Sequence, residues 1–119
     1  MFRQIAELDQ TADFAADSAF PRQLVESLRD GDQKSDQKIV SILVVIGSWM
    51  NATAGTMWSM GPIADGMYSE RIGVGIASRS GDSFTPLIAI CEEIVAEGHN
   101  DSTRLDMVQS LAEFDQRNA

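Results

Sequence analysis

The longest uncharged stretch of the chain, residues 39–64, constrains the fold more than any other feature. It lies between Lys38 and Asp65 in a protein of 119 residues whose net charge is −9. Charged side chains are rarely buried without a partner, so they mark the surface of a folded protein. An uncharged stretch in so acidic a chain therefore marks the part that is removed from water.

A stretch of this length can cross a membrane or form the core of a globular protein. About 20 apolar residues suffice to span a bilayer, but only residues 39–46 are densely apolar. The remainder contains small and polar residues and a proline: Gly47, Ser48, Asn51, Thr53, Gly55, Thr56, Ser59, Gly61 and Pro62. We therefore favour a buried helix and expect no membrane contact. A membrane-associated protein that uses residues 39–64 is an alternative.

The pattern predicts one long central helix over about 36–60. Ser35 or Asp36 can cap its start, and apolar side chains continue to Trp58 with no turn signal before Gly61. A helix that is apolar on most sides must be covered by the rest of the chain.

Several amphipathic segments can provide that cover. The predicted helices run over about 3–19, over about 21–30, from Pro86 to Gly98, and onward from Asp101 or Ser102. Proline at the first helical position and glycine just past the end support the middle two. The apolar arc predicted for the last helix consists of Leu105, Val108, Leu111, Ala112 and Phe114.

Residues 61–84 are rich in glycine and show no clear periodicity. Glycine interrupts helices and strands alike, so we predict an irregular segment, with a short helix near 62–72 left open and no convincing hairpin. The expected fold is all-α: a single domain over residues 1–119, with five to six helices around the central one.

Cysteine usage and the N-terminus both bear on the compartment. Cys91 is the only cysteine, so a disulfide within the chain is impossible and a reducing compartment is the simpler interpretation. Glu7 stands where a secretory signal would need an apolar run. We therefore expect a cytoplasmic protein.

The residues that usually carry catalysis are scarce. His99 is the only histidine and follows a predicted helix end, and Cys91 lies on a predicted apolar face. Glu93, Glu97 and Asp101 supply metal-ligand atoms but lack the spacing of paired helical metal sites. We therefore expect no cofactor and no enzymatic activity. The alternative is a small metal- or nucleotide-binding enzyme that uses the glycine-rich segment, with Arg71 and Arg79, and the acids of residues 93–101.

Asp9, Asp13 and Asp17 recur every four residues and would line one edge of the first predicted helix. Phe14 falls among them, about 180° from Ile5. A bulky aromatic side chain ringed by acids resembles an interface anchor, so we predict that these four residues contact a partner. Packing of Phe14 on a neighbouring helix, or on a second copy of the chain, is the alternative.

A second predicted contact region follows the central helix. Trp58, Met60, Met67 and Tyr68 are concentrated there, together with Met50 and Met57. Methionine fills irregular gaps in cores and also serves adaptable binding surfaces. We interpret Trp58, Met60, Met67 and Tyr68 as a docking patch, with a core role as the alternative.

These observations favour a small, acidic, non-enzymatic protein that binds and inhibits another protein. Its pI near 4.3 argues against direct nucleic-acid binding, which needs clustered cations, and favours a partner with a basic surface, such as one that holds nucleic acid. Phage inhibitors of host defence, including anti-CRISPR proteins, and immunity proteins share this profile of size and charge. Association between copies of the chain is left open.

Overall fold

The computed structural model describes residues 14–64, 70–98 and 101–118. These residues form four helices and a three-stranded antiparallel sheet. In chain order the elements are α1 (Arg22–Asp30), α2 (Ser35–Ala54), β1 (Met57–Ala64), β2 (Glu70–Ala77), β3 (Phe84–Thr85), α3 (Leu87–Glu97) and α4 (Thr103–Arg117).

Helix α2 is the buried central element that the uncharged stretch predicts. Residues 42–50 are all buried, and α1, α3 and α4 each pack against α2. Within the part of the chain that the structure describes, no helix is both long enough and apolar enough to cross a membrane.

The predicted extent of the central helix, 36–60, is wrong at its C-terminal end. The helix stops at Ala54 because Gly55 adopts the left-handed conformation, with φ of 72°. Glycine takes this conformation at low cost and is the usual residue just past a helix end. Trp58 and Met60 therefore belong to strand β1, and the apolar pattern beyond Gly55 continues in a strand.

The all-α fold class is also wrong, because residues 61–64 and 70–77, which were predicted to be irregular, belong to strands β1 and β2. Strands β1 and β2 pair in antiparallel register, with Trp58 opposite Ile76 and Met60 opposite Val74. The short strand β3 then pairs with the end of β2, where Thr85 lies opposite Ile76. Val74 and Ile76 are buried and alternate with Gly73 and Gly75. Because glycine has no side chain, the two-residue alternation that is typical of a strand was not visible in the sequence.

The glycines of the hairpin make room for one aromatic ring. A Cβ atom added at Gly61 would lie 2.7 Å from Cε2 of Phe84, and one at Gly75 would lie 2.8 Å from Cζ of the same ring. Both distances are too short for real side chains, so Phe84 covers both glycines, and at Gly75 the backbone carbonyl of Thr85 lies closer still. An aromatic ring over strand glycines stabilises the pairing that the missing side chains would otherwise weaken.

The first predicted helix, about 3–19, does not extend to its expected end. Residues 14–19 contain a turn, in which the backbone N–H of Ser18 donates to the carbonyl of Ala15 at 3.1 Å. Phe20 then enters the core and meets Trp49 edge to face, with ring centroids 5.3 Å apart. Residues 1–13 lie outside the described residues.

The helices predicted around 21–30, 86–98 and 101 onward are confirmed as α1, α3 and α4. Polar side chains fix α1 beside α4. Arg22 pairs with Asp106 at 2.7 Å. Arg29, which is buried, donates to Oγ of Ser102 at 3.1 Å and pairs with Asp30 at 2.8 Å, and the bond to Asp30 raises the pKa of Arg29.

Candidate functional site

Helix α4 carries an exposed apolar stripe of three side chains: Met107, Leu111 and Phe114. Their exposed fractions are 44%, 61% and 56%. The spacing of four and then three residues puts them on one helix face. The core-facing side of α4 is a different arc, formed by Leu105, Val108 and Ala112. The sequence prediction that Leu111 and Phe114 belong to the buried arc is therefore wrong.

Charged side chains of both signs flank the apolar stripe. At 100° per residue, Asp106 and Glu113 lie about 110° and about 130° from its centre. Arg117 lies about 90° away on the same side, and Arg104 lies about 50° away on the other. Asp106 is already paired with Arg22, whereas Glu113 forms no ion pair with any described residue. The stripe thus presents large apolar side chains with charged side chains around them, a composition that is typical of protein-binding surfaces.

The acids of residues 93–101 serve the fold. Glu93 pairs with the guanidinium of Arg104 at 2.7 Å, and Glu97 accepts the backbone N–H of the same residue at 2.9 Å. Asp101 accepts the backbone N–H of Thr103 at 3.0 Å and its hydroxyl at 2.6 Å. The hydroxyl bond is the larger cause of the lowered pKa of Asp101. These acids hold the start of α4, and no metal-binding group of three or more ligands occurs among the described residues.

The structure places two members of the predicted aspartate and phenylalanine group. Phe14 is half-buried and packs against the core cluster, and Asp17 is exposed. Asp9 and Asp13 lie outside the described residues. The position of Phe14 among the aspartates was predicted for a helix. Residues 15–18 form a turn instead, so that predicted position no longer applies. Contact of Phe14 or Asp17 with a partner stays a prediction.

The predicted docking patch after the central helix is likewise placed in part. Trp58 is half-buried with its ring against Gly47 of α2, while Met60 is 50% exposed. The indole Nε1 of Trp58 is buried and finds no hydrogen-bond acceptor in the described part of the structure. Met67 and Tyr68 lie outside the described residues. A role of these four residues in docking stays a prediction.

A cavity of about 520 Å³ opens between the C-terminal ends of α2 and α4 and the loop that joins β2 to β3. Buried Met50 and Ile76 supply apolar lining. Arg79 comes from the loop and Asp115 from α4. Hydroxyl and amide groups complete the lining: Thr56, Ser78, Ser80, Ser83, Thr85 and Asn118.

The sequence contains a signal for the apolar stripe, but the single apolar arc predicted for α4 combines residues of the stripe with residues of the core. Leu105, Val108 and Ala112 span one arc of the helix, and Met107, Leu111 and Phe114 span another. A helix with two apolar arcs has more apolar surface than one core contact can cover. For the cavity, the sequence indicated only Arg79 of the glycine-rich segment, because the rest of the lining comes from separate helices, strands and loops.

No protein-family model matches the chain, and comparison with the curated proteins and with the solved structures returns no match.

Proposed function

We propose that this chain is a non-enzymatic, cytoplasmic protein that binds and inhibits another protein. The apolar stripe of α4 is the centre of the docking surface. The partner offers an apolar groove with a basic rim. The observation that carries the proposal is the exposure of Met107, Leu111 and Phe114 on one helix face.

The apolar stripe is large enough to supply a substantial part of a binding free energy. Full burial of a side chain of this kind contributes about 1.5 to 3 kcal/mol, and roughly half of each is still exposed. Covering all three side chains would therefore contribute roughly 2 to 4.5 kcal/mol. Because helices commonly bind by laying such a face into a groove, α4 needs no rearrangement to dock.

The charge of the chain determines the kind of partner. A net charge of −9 attracts basic surfaces and repels acidic ones, which raises association rates with the former. Glu113, which forms no ion pair with any described residue and lies about a third of a turn from the stripe, is proposed to meet a cationic group at the edge of the partner's surface. The proposed partner surface is one that holds nucleic acid, so that occupation by this acidic protein blocks it. Asp17 and Met60 are proposed as secondary contacts.

The test compares the affinity of an identified partner for two sets of variants. Replacement of Met107, Leu111 and Phe114 together by serine removes the apolar stripe. The matched control is Leu24→Ser, which removes a side chain of similar exposure, 46%, from α1. We expect the triple variant to lose about 100-fold or more in affinity by surface plasmon resonance, and the control to bind as the native protein does.

Two further measurements separate this proposal from its competitors. Binding to a basic partner weakens as salt rises from low to moderate concentration, so salt-independent affinity contradicts the electrostatic part. Light scattering on the native protein and on the triple variant reports self-association. If the stripe variant converts a dimer to a monomer, a second copy covers the stripe and the proposed docking surface is wrong.

A further inference from the structure

We propose that the cavity between α2, the β2–β3 loop and α4 binds a small zwitterion, a free amino acid or a dipeptide. Its volume of about 520 Å³ lies within the range of about 300 to 1,000 Å³ that is typical of ligand pockets. This inference is independent of the proposed docking surface, because it rests on the lining of the cavity and not on the apolar stripe.

The cavity has one cationic and one anionic side chain on different walls. Arg79 and Asp115 both line it, yet they form no ion pair with each other or with any other described residue. Their charged atoms are therefore more than 4.0 Å apart. A ligand that carries a carboxylate and an ammonium group can satisfy both, with the carboxylate at Arg79 and the ammonium at Asp115.

The two opposite charges in the cavity make the zwitterion a better ligand than a simple ion. A plain anion would meet Asp115 and a protein of net charge −9. A plain cation would be repelled by Arg79. A zwitterion brings each charge to its opposite and adds no net charge, so it gains from both side chains without those repulsions.

The loop that carries Arg79 is held in shape by its own hydrogen bonds. The backbone N–H of Ser78 donates to the carbonyl of Ser83 at 2.9 Å, and the N–H of Ser83 donates to Oγ of Ser78 at 3.1 Å. Gly81, with φ of 81°, allows the tight turn between them. A loop ordered without a ligand loses less conformational entropy on binding.

The rest of the cavity lining determines which side chain of the ligand fits. Met50 and Ile76 are buried apolar residues, and they suit a short aliphatic side chain such as that of alanine, valine or methionine. Thr85 and Asn118 offer hydroxyl and amide groups to the ligand's polar atoms. The cavity thus matches the three parts of an amino acid: anion, cation and apolar side chain.

The experiment is a titration of the isotopically labelled protein followed by ¹H–¹⁵N NMR. The probes are valine, methionine and alanyl-alanine, each compared with its N-acetyl form, which lacks the cation, and its amide, which lacks the anion. We expect saturable shifts at residues 79 and 115 with Kd of about 1 mM for at least one zwitterion. Each blocked form should bind about tenfold more weakly or worse.

Two variants test whether Arg79 binds the ligand's carboxylate and Asp115 binds its ammonium group. Arg79→Gln and Asp115→Asn should each weaken zwitterion binding about tenfold or more. Arg117→Gln, an exposed change on the same helix outside the cavity, should leave it unchanged. All three changes are at exposed positions, and the dispersion of the same spectra verifies that each variant is folded.

The outcomes are decisive in either direction. Absence of shifts with every zwitterion up to about tenfold above the expected Kd overturns the proposal. Equal binding of the N-acetyl form also overturns it, because the cavity would then be an anion site. Unchanged binding by Arg79→Gln would show that the ligand lies elsewhere.

Discussion

At Gly47 the central helix has no Cβ atom, and the indole ring of Trp58 occupies the space. A Cβ atom built at this position would lie 2.6 Å from Cζ3 of the ring, closer than real side chains approach. Strand β1 can therefore lie directly against α2. Gly47, which counts in the sequence only as a small residue within the uncharged stretch, is thus a contact point between a helix and a strand.

Replacement of Gly47 by alanine tests this contact. Alanine in a helix interior is normally about 0.8 to 1 kcal/mol more favourable than glycine. Here we expect Gly47→Ala to lower the free energy of unfolding by about 1 to 3 kcal/mol, because the added methyl group overpacks the site. Urea denaturation monitored by tryptophan fluorescence and circular dichroism measures the change.

The control for this prediction is a double-mutant cycle with Trp58→Leu. The smaller side chain removes the ring that the methyl group would meet, so Gly47→Ala should cost much less in that background. An equal cost in both backgrounds would mean that Trp58 is not the cause.

At the scale of the element, the apolar residues of α4 form two arcs, of which one is buried and the other is exposed. Leu105, Val108 and Ala112 face the core, and Met107, Leu111 and Phe114 face outward. The sequence predicted the helix and all three residues of the buried arc, but the predicted arc also included Leu111 and Phe114. The sequence could not decide between the arcs, because both are apolar and only the positions of α2 and α3 determine which one is covered.

The same substitution at two positions of α4 distinguishes the arcs. Leu105→Ala should lower the free energy of unfolding by about 2 to 5 kcal/mol, because it empties a fully buried site. Leu111→Ala should change it by no more than about 0.5 kcal/mol, as expected at an exposed position. Equal effects in urea denaturation would contradict the assignment of Leu111 to the surface.

The hairpin is the element that sequence analysis missed. Gly61 and Gly75 were interpreted as signs of irregular backbone, since an isolated strand gains little from glycine. Their role depends on Phe84, a residue distant from Gly61 in sequence, whose ring fills the space above both. A local pattern cannot contain that information.

At the scale of the whole molecule, α2 organises one core in which Cys91 of α3 is fully buried. Burial raises the pKa of its thiol, with a smaller contribution in the same direction from Glu92. The thiolate that reacts with disulfide reagents is therefore both scarce and inaccessible in the native state. Sequence analysis predicted this structural role from the apolar face on which Cys91 lies.

The reactivity of Cys91 should consequently report opening of the core. With an aromatic disulfide reagent, we expect negligible reaction under native conditions and a steep rise as urea approaches the unfolding transition. As a matched control, Ser110→Cys places a thiol on the exposed surface of α4 and should react at once. Rapid labelling of native Cys91 at the same rate would contradict a closed core.

The sequence by itself determined the buried centre of the molecule, three of its helices and the surplus of negative charge, because each depends on residue type and short-range periodicity. Only the tertiary structure decided at which residue α2 ends, that β1 and β2 form a hairpin, and which face of α4 is exposed. The reason is physical: the pairing of the strand that follows Gly55, a ring over two glycines and a covered helix arc are each defined by contacts between distant residues. The cavity at Arg79 and Asp115 arises in the same way, from charges that only the fold brings to one place.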